Sequence, residues 1–585
     1  MRTDFFASLD RSDPPAPWPE APGFAPLART VGPWQVRFRA ADTAVFGRPE
    51  AGLLVLLKGS LYGTGPGGLL DLYQRHGAEF PRHLEGSFAA LLLDERAGRV
   101  LAVTDRTGSH ALYAAHEGER VLISTRPDWT PLRERPLSVA GVSSFLTKGN
   151  LTTGLSLYEG VSTLRRACVH ELSPQGLCAH GYWPLNMGEA TDLRPSAELE
   201  AELVELLRGA AQRRMAASGA RPFLSLSGGY DSRGLLRLMA DSGREFQTFS
   251  YALPRRAAGS DPQVAARLAA QYGVQHTVLQ AYRGDLPAHL RRNVAWGGGG
   301  APLCDEADAW AEFAALNPSD VFVGDHAFDL SGHPLTGRAD QFLRQKVPPS
   351  FEVLSWLRGS LPEPTYAALR DSWNATLETM RVQAGAGPGR CPGGYQLEVA
   401  LMLDVNVAHS LLPWRDRYAG HLAEVHLPYL DGALLDFIGR IPLELLARKM
   451  LFRRALQQLD PQLMQVPLAR SLGYVPDWKL ELIRQRGVVW EAVQAQSSPL
   501  DELIPPQVIH GLLMGLTPTP RGVVWRAAAR QTLGRLRRTP LGIRLLGPAP
   551  MRKTVDTATF LRRVLVLREL TAARPAPQDS PPALV

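Results

Sequence analysis

The apolar positions of this chain change period along its length. In the first third apolar stretches alternate with Gly and Asp turns, as in Arg99-Val100-Leu101-Ala102-Val103, which predicts an all-β or sandwich region. Further on, Leu199, Leu203, Leu206 and Leu207 fall at helical spacing and predict an amphipathic helix starting near Ala197. Strand-like Phe223-Leu224-Ser225-Leu226, Phe246-Gln247-Thr248-Phe249-Ser250-Tyr251 and His276-Thr277-Val278-Leu279 then alternate with helix-like stretches at 235–239 and 264–272. That alternation predicts a parallel sheet with ligands at the carboxyl ends of its strands.

Between the first of those strands and its helix stands Ser227-Gly228-Gly229-Tyr230-Asp231-Ser232. A glycine pair at a strand-to-helix turn lets the backbone approach a phosphate, and the unpaired N–H groups of the helix then face the anion. No Gly-x-x-x-x-Gly-Lys-Ser/Thr is present, so this is not a Walker A loop. Asp231 stands where a magnesium ion bridging phosphates could be held, which suits chemistry that releases pyrophosphate and leaves AMP on a substrate. Val321-Phe322-Val323-Gly324-Asp325-His326-Ala327-Phe328-Asp329-Leu330 reads as a buried strand ending in glycine and carboxylates, a second contribution to such a site. Trp296-Gly297-Gly298-Gly299-Gly300 lacks a following helix start and reads as a flexible connection.

Together with Asp416-Arg417, Glu424-Val425-His426-Leu427-Pro428-Tyr429-Leu430-Asp431 and Lys449-Met450-Leu451-Phe452-Arg453-Arg454-Ala455, these motifs resemble the synthetase domain of asparagine synthetases. Leu84-Glu85-Gly86-Ser87-Phe88, Thr104-Asp105-Arg106-Thr107-Gly108, Leu112-Tyr113 and Ile123-Ser124-Thr125 resemble the glutaminase domain that precedes it in that family. The resemblance runs to about Leu480. It implies an α/β multidomain chain: a β-rich glutaminase-like sandwich, then a parallel-sheet ATP-pyrophosphatase domain.

The resemblance also implies roles. Ser227, Gly228, Gly229 and Ser232 would hold the phosphates of ATP, and backbone groups around Leu226 and Ser250 would meet the adenine. Asp231 and Asp325 would hold Mg2+, with Asp329 a further candidate where Phe328 displaces the family's adjacent acidic pair. Lys449 matches the lysine that stabilises charge on the phosphates and the adenylate. Glu424 matches the glutamate near the incoming nucleophile, a candidate general base. His426 stands where the family has arginine.

One departure bears on activity. The family's glutaminase uses an N-terminal cysteine as nucleophile, whereas here Met1-Arg2 opens the sequence and Cys168 is the first cysteine. Lys58-Gly59-Ser60 replaces the segment that builds the family's oxyanion hole and keeps only its glycine. Glutamine hydrolysis is expected to be absent, with the first domain a scaffold.

At 585 residues, 45% hydrophobic and 21% charged, the chain has room for two to four domains with large cores. The expected division is 1–185 for the degenerate amidotransferase-like domain, 197–490 for the ATP-pyrophosphatase domain, 491–572 for a C-terminal extension and 573–585 for a disordered tail. No apolar run approaches a bilayer span and no signal-type core precedes Pro14, so a cytoplasmic location is expected. Cys168, Cys178, Cys304 and Cys391 form neither a zinc spacing nor a disulfide framework, although Cys168 and Cys178 could pair across a hairpin.

The net charge of +7 comes largely from residues 521–553, which contain no Asp or Glu while Arg526, Arg530, Arg535, Arg537, Arg538, Arg544 and Arg552 interrupt an apolar set. Such a segment suits a docked helix or a surface for anionic lipid, nucleic acid or an acidic peptide. The expected function is an ATP-dependent, amide-forming ligase that adenylates a small-molecule or peptide carboxylate for attack by ammonia or an amine. Alternatives are a macrolactam- or β-lactam-forming cyclase, a non-catalytic interaction protein that keeps the fold, and a tRNA-modifying ATP pyrophosphatase.

Overall fold

The computed structural model describes residues 3–12, 15, 18, 26–152, 154–184, 192–254, 258–326, 350–385, 402–446, 449–518 and 555–572. The alternating first third forms twelve strands: β1 (Phe5–Asp10), β2 (Leu27–Val31), β3 (Trp34–Ala40), β4 (Val45–Arg48), β5 (Leu53–Leu61), β6 (Gly86–Asp94), β7 (Arg99–Thr104), β8 (Tyr113–Glu117), β9 (Arg120–Ser124), β10 (Val161–Thr163), β11 (Cys168–Ser173) and β12 (Gly176–Gly181). They make two six-stranded sheets, β10-β8-β9-β1-β3-β2 and β12-β11-β7-β6-β5-β4, with antiparallel pairing throughout. Phe5, Leu9, Val36, Leu56, Leu91 and Ile123 fill the space between them. The second sheet is covered on its other face too, where Val55 and Leu92 pack with Leu69, Leu70 and Tyr73 of the helix Gly65–His76. Burial on both faces explains why β5 and β6 read as unbroken apolar runs rather than alternating ones.

The second sheet system is parallel: β13 (Pro222–Ser225), β14 (Gln247–Ala252), β15 (His276–Gln280), β16 (Asp320–Phe322) and β17 (Glu424–His426), in the order β15-β14-β13-β16-β17. Helices Ser196–Ala217, Tyr230–Ala240, Asp261–Gln271 and Ala307–Ala314 connect or cover these strands. Two helix starts carry a local signal: Pro262 sits in the first turn after Ser260, and the Asp285 carboxylate accepts the Ala288 N–H at the start of the helix Leu286–Gly297. Phe249 and Phe313 lie 4.3 Å apart between centroids, and Phe223 and Trp310 meet them edge-on in the core.

The two systems are closely joined. Arg214, almost wholly buried, donates to Asp431 at 2.7 Å and lies 4.4 Å over the Tyr62 ring, beside Glu85 of the sandwich. A further core mixes Tyr113 and Phe145 with Tyr366, Trp373, Phe560 and Leu567. The helix Thr557–Thr571, at the end of the expected C-terminal extension, is therefore a core element; Arg562, inside it, donates to Asp305 at 2.7 Å and stacks 3.8 Å over Trp478. The basic residues 521–553 and the expected tail 573–585 lie outside the described residues.

Two expectations are corrected. The glycine run at 297–300 is a tightly packed helix end: a Cβ on Gly299 would lie 2.7 Å from Leu570, and one on Gly300 2.6 Å from the Tyr113 hydroxyl. The run serves close packing, not flexibility. Cys168 faces Gly181 and Cys178 faces Glu171 across the β11–β12 hairpin, so the two thiols are offset along it and both are free. Among the described residues no helix is long and apolar enough to cross a membrane.

Candidate active site

Strand order reverses at β13: β14 and β15 lie to one side, β16 and β17 to the other. The loops leaving the carboxyl ends of β13 and β16 therefore diverge from neighbouring strands, the place where parallel sheets bind ligands. Ser227–Ser232 leaves β13 and Gly324-Asp325-His326 leaves β16. The first loop is braced from within, since the Ser227 N–H donates to Ser232 Oγ at 2.9 Å and Ser232 Oγ donates back to the Ser227 carbonyl at 3.0 Å. Arg233, just behind it, donates to the carbonyls of Gly228, Leu463, Val466 and Pro467, tying the loop to the segment that covers it. A Cβ on Gly228 would stand 2.6 Å from that of Ala469, so no larger residue fits. The Gly228 N–H donates to Asp261 Oδ1 at 2.8 Å.

Asp231 occupies the first turn of the helix Tyr230–Ala240. Lys449 Nζ donates to its two carboxylate oxygens at 2.8 and 2.9 Å and also lies 2.8 Å from His326 Nε2. Burial alone would raise the Asp231 carboxyl, but contact with His326 and Lys449 overrides it and lowers the group to about 2. Lys449 has φ +56°, the left-handed region that a residue with a Cβ enters at a cost of about 1 kcal/mol or more. The turn that aims this ammonium at Asp231 thus stores strain next to the loop. A Cβ on Gly324 would lie 3.1 Å from Asp231, so the two carboxyl-end loops abut.

Asp325 is gripped by Arg415, whose Nε and Nη2 donate to its two oxygens at 2.5 and 3.2 Å; the same guanidinium stacks 4.5 Å over Trp414. Within reach of Arg415 lies Glu306, buried at the start of the helix Ala307–Ala314. Its neighbours Asp305 and Asp308 are paired with Arg562 and with His289 and Arg292, whereas Glu306 has the Cys304 thiol and its own amide. Burial, reinforced by Asp305, pushes the Glu306 carboxyl up to about 7. Tyr429 closes the floor, donating to the Asp231 carbonyl at 2.9 Å.

The residues read from the sequence divide accordingly. Ser227, Gly228, Gly229, Asp231, Ser232 and Lys449 come together, with Asp325 on the adjoining loop. Leu226 directly follows β13 and Ser250 lies on the neighbouring β14; the Leu226 N–H is taken by the Phe249 carbonyl at 2.9 Å, and Ser250 Oγ lies 3.0 Å from His276 Nε2. Glu424 is not brought to the loop. It pairs with Asp320, which pairs with Pro222, at the amino ends of the strands, roughly 15 Å along the strand direction from Ser227. There its Oε1 is buried with no hydrogen bond among the described residues. Asp329 lies outside the described residues. His326, Arg415 and Arg233 belong to the site, and Glu306 lies in the electrostatic surroundings of Arg415, although nothing in their local sequence marks them apart from His326 following Gly324-Asp325.

Among the described residues no group of three or more His, Cys, Asp or Glu side chains could hold a metal by itself. Two hard carboxylates on abutting loops, each oxygen with a second lone pair, do suit Mg2+, which keeps waters and takes substrate phosphates rather than a full protein cage.

Residues 202–318 match the asparagine synthase family and residues 67–129 the glutamine amidotransferase domain family. The first match covers the phosphate loop and ends before Asp325, Glu424 and Lys449. Amidase chry2 of Gibberella zeae is 26% identical over 185 residues, 29% of this chain; the chain spans about a quarter (26%) of that relative's length. Among solved structures, glutamine phosphoribosylpyrophosphate amidotransferase of B. subtilis, complexed with ADP and GMP, is 13% identical over 51% of this chain and 69% of its own, with a TM-score of 0.19. The U34-tRNA thiolase NcsA of Methanococcus maripaludis, with its 4Fe–4S cluster, is 9% identical over 56% of this chain and 82% of its own, with a TM-score of 0.22. Along the chain the amidotransferase match comes first and the asparagine synthase match second, the order in which the sequence motifs for the two domains stand.

Proposed function

We propose that this asparagine synthetase-family protein is an ATP-dependent ligase that cleaves ATP between the α and β phosphates, adenylates a carboxylate and passes the acyl group to an amine. The observation that carries this reading is the Ser-Gly-Gly loop at the strand-order reversal with Lys449 held on its Asp231 at 2.8 Å. In a Walker site the lysine sits inside the loop and reaches the β and γ phosphates. Here the cation arrives from another helix start and faces the loop's own carboxylate.

In this reading a substrate carboxylate oxygen attacks the α phosphorus, the bond to the β phosphate breaks and pyrophosphate leaves. The amine nitrogen then attacks the acyl carbon, AMP leaves and the amine gives up a proton. Ser227, Gly228, Gly229 and Ser232 hold the departing phosphates, and Lys449 offsets the charge that develops on them. Asp231 and Asp325 would hold Mg2+, which neutralises phosphate charge when bound. Glu306, whose carboxyl burial and Asp305 push up to about 7, suits the proton transfer from the amine. The carboxylate is that of a small molecule or a peptide; asparagine, lactam and macrocycle formation share this chemistry.

Glutamine would not supply the amine. Burial pushes the Cys168 and Cys304 thiols up, against the needs of a nucleophile, and Lys58 is committed to ion pairs with Asp4 and Asp416. The ligase reading is tested by incubating the protein with MgATP, hydroxylamine and a panel of carboxylic acids. Hydroxamate formation with one acid, dependent on ATP, is expected; none with any acid, despite ATP binding, would favour a fold kept for interaction.

A further inference from the structure

Arg415 and Asp416 are consecutive, yet they serve different neighbours. Arg415 grips Asp325 on the nucleotide side, with both carboxylate oxygens engaged. Asp416 points into the sandwich, where Lys58 Nζ reaches its oxygens at 3.0 Å and His110 Nδ1 lies 2.8 Å from Oδ1. All three are buried: side-chain exposure is 3% for Asp416 and 8% each for Lys58 and His110. Lys58 also pairs with Asp4 at 2.9 Å, and Arg417 lies 3.8 Å from Asp416 while donating to the Thr125 carbonyl. Asp416 is therefore held well below the usual carboxylate range: burial opposes ionisation, and Lys58 and His110 overcome it.

A buried network in which every charge is paired has one good geometry, because shifting any member strands a charge without a partner. Lys58 projects from β5, a strand inside a six-stranded sheet, so its position is set by the sandwich core. Asp416 belongs to the π-helical turn Arg415–Ala419, and a displacement of its backbone cannot leave its neighbour in place.

We infer that Lys58 is a positioning residue for the nucleotide site: through Asp416 it sets Arg415 against Asp325, so that the amidotransferase-like domain is a working part of the ligase rather than a remnant. The lysine stands where the resemblance places an oxyanion-hole segment, and its side chain crosses the domain boundary. This rests on the ligase reading, because it assigns Asp325 to MgATP.

The test uses the full chain and MgATP alone, with affinity measured by equilibrium dialysis. Lys58→Met should weaken MgATP binding by about tenfold, within the coupling range of contacting groups. Lys58→Arg, which keeps the cation, should recover most of that loss. In an Asp325→Asn background Lys58→Met should add little, because the group it positions is already impaired. Should Lys58→Met not fold, Asp416→Asn replaces it in the same cycle, keeping shape and a hydrogen-bonding oxygen for Lys58. Wild-type affinity in the folded variant, or full additivity with Asp325→Asn, would overturn the inference while leaving the ligase reading intact. A wild-type protein that does not bind MgATP would overturn both.

Discussion

Lys449 Nζ lies 2.8 and 2.9 Å from the two carboxylate oxygens of Asp231, across 218 positions of sequence. The pair closes the phosphate loop with a cation that the loop does not contain. The ammonium and the carboxylate neutralise each other there; in the proposed reading the ammonium would turn to the phosphates and the carboxylate to a metal.

Lys449→Ala should lower turnover by roughly 10²-fold or more with a smaller change in the KM for ATP, because a fixed cation acts mainly on charge developing in the transition state. Steady-state kinetics on the acid found by hydroxamate formation gives the comparison. Unchanged turnover would return Lys449 to a structural contact of Asp231.

Stability should fall as pH rises past the carboxylate range because of Glu306. Its folded carboxyl titrates at about 7 against an ordinary 4.5, so between those values the folded chain holds a proton that the unfolded chain has lost. Ionising it in place costs up to about 3 kcal/mol, a penalty absent at pH 4 and complete above pH 7. Glu306→Gln should raise the thermal midpoint at pH 8 and leave it nearly unchanged at pH 4. The same variant should keep hydroxamate formation, since hydroxylamine is unprotonated at neutral pH, and slow transfer to an ordinary amine. A midpoint at pH 8 equal to that of the wild type would contradict the assignment.

Glutamine should not be hydrolysed. Purified protein is expected to release no glutamate above a no-enzyme control, with or without ATP. Release that survives repurification would show that the Lys58 network does not fill a former glutaminase site.

The basic residues 521–553 are proposed as an anion-docking surface. Removing the C-terminal end would also remove the helix Thr557–Thr571, which is buried in a shared core, so charge substitutions are the better probe. Arg535→Gln, Arg537→Gln and Arg538→Gln together should weaken binding to anionic vesicles, single-stranded nucleic acid or an acidic peptide, with a difference that shrinks as salt is added. Equal binding by both proteins at low salt would leave the arginines as solvated groups.

Much of the fold was legible because its signals are local. Alternation in the first third and the strand–helix rhythm after Ala197 both correspond to observed elements, β16 being shorter than its apolar run. The phosphate loop is contiguous and therefore readable; Lys449 reached it only through the family resemblance, since no local pattern encodes a contact across 218 positions. Arg415, Glu306 and Lys58 stayed hidden for the same reason, as their roles arise from packing between segments. The glycine run at 297–300 misled because flexibility and close packing ask for the same residue, and only Leu570 and Tyr113 decide between them. Glu424 was placed by motif, while the register of β17 against β16 sets it at the far end of the strand.

The most decisive measurement follows ATP labelled at the α phosphate, incubated with magnesium, the productive acid, hydroxylamine as the acceptor and either the wild-type protein or Asp231→Asn. The ligase account predicts label in AMP with pyrophosphate released in equal amount, and none of this with Asp231→Asn, whose weakened metal binding stops the reaction. Label in ADP, with phosphate released, would contradict it.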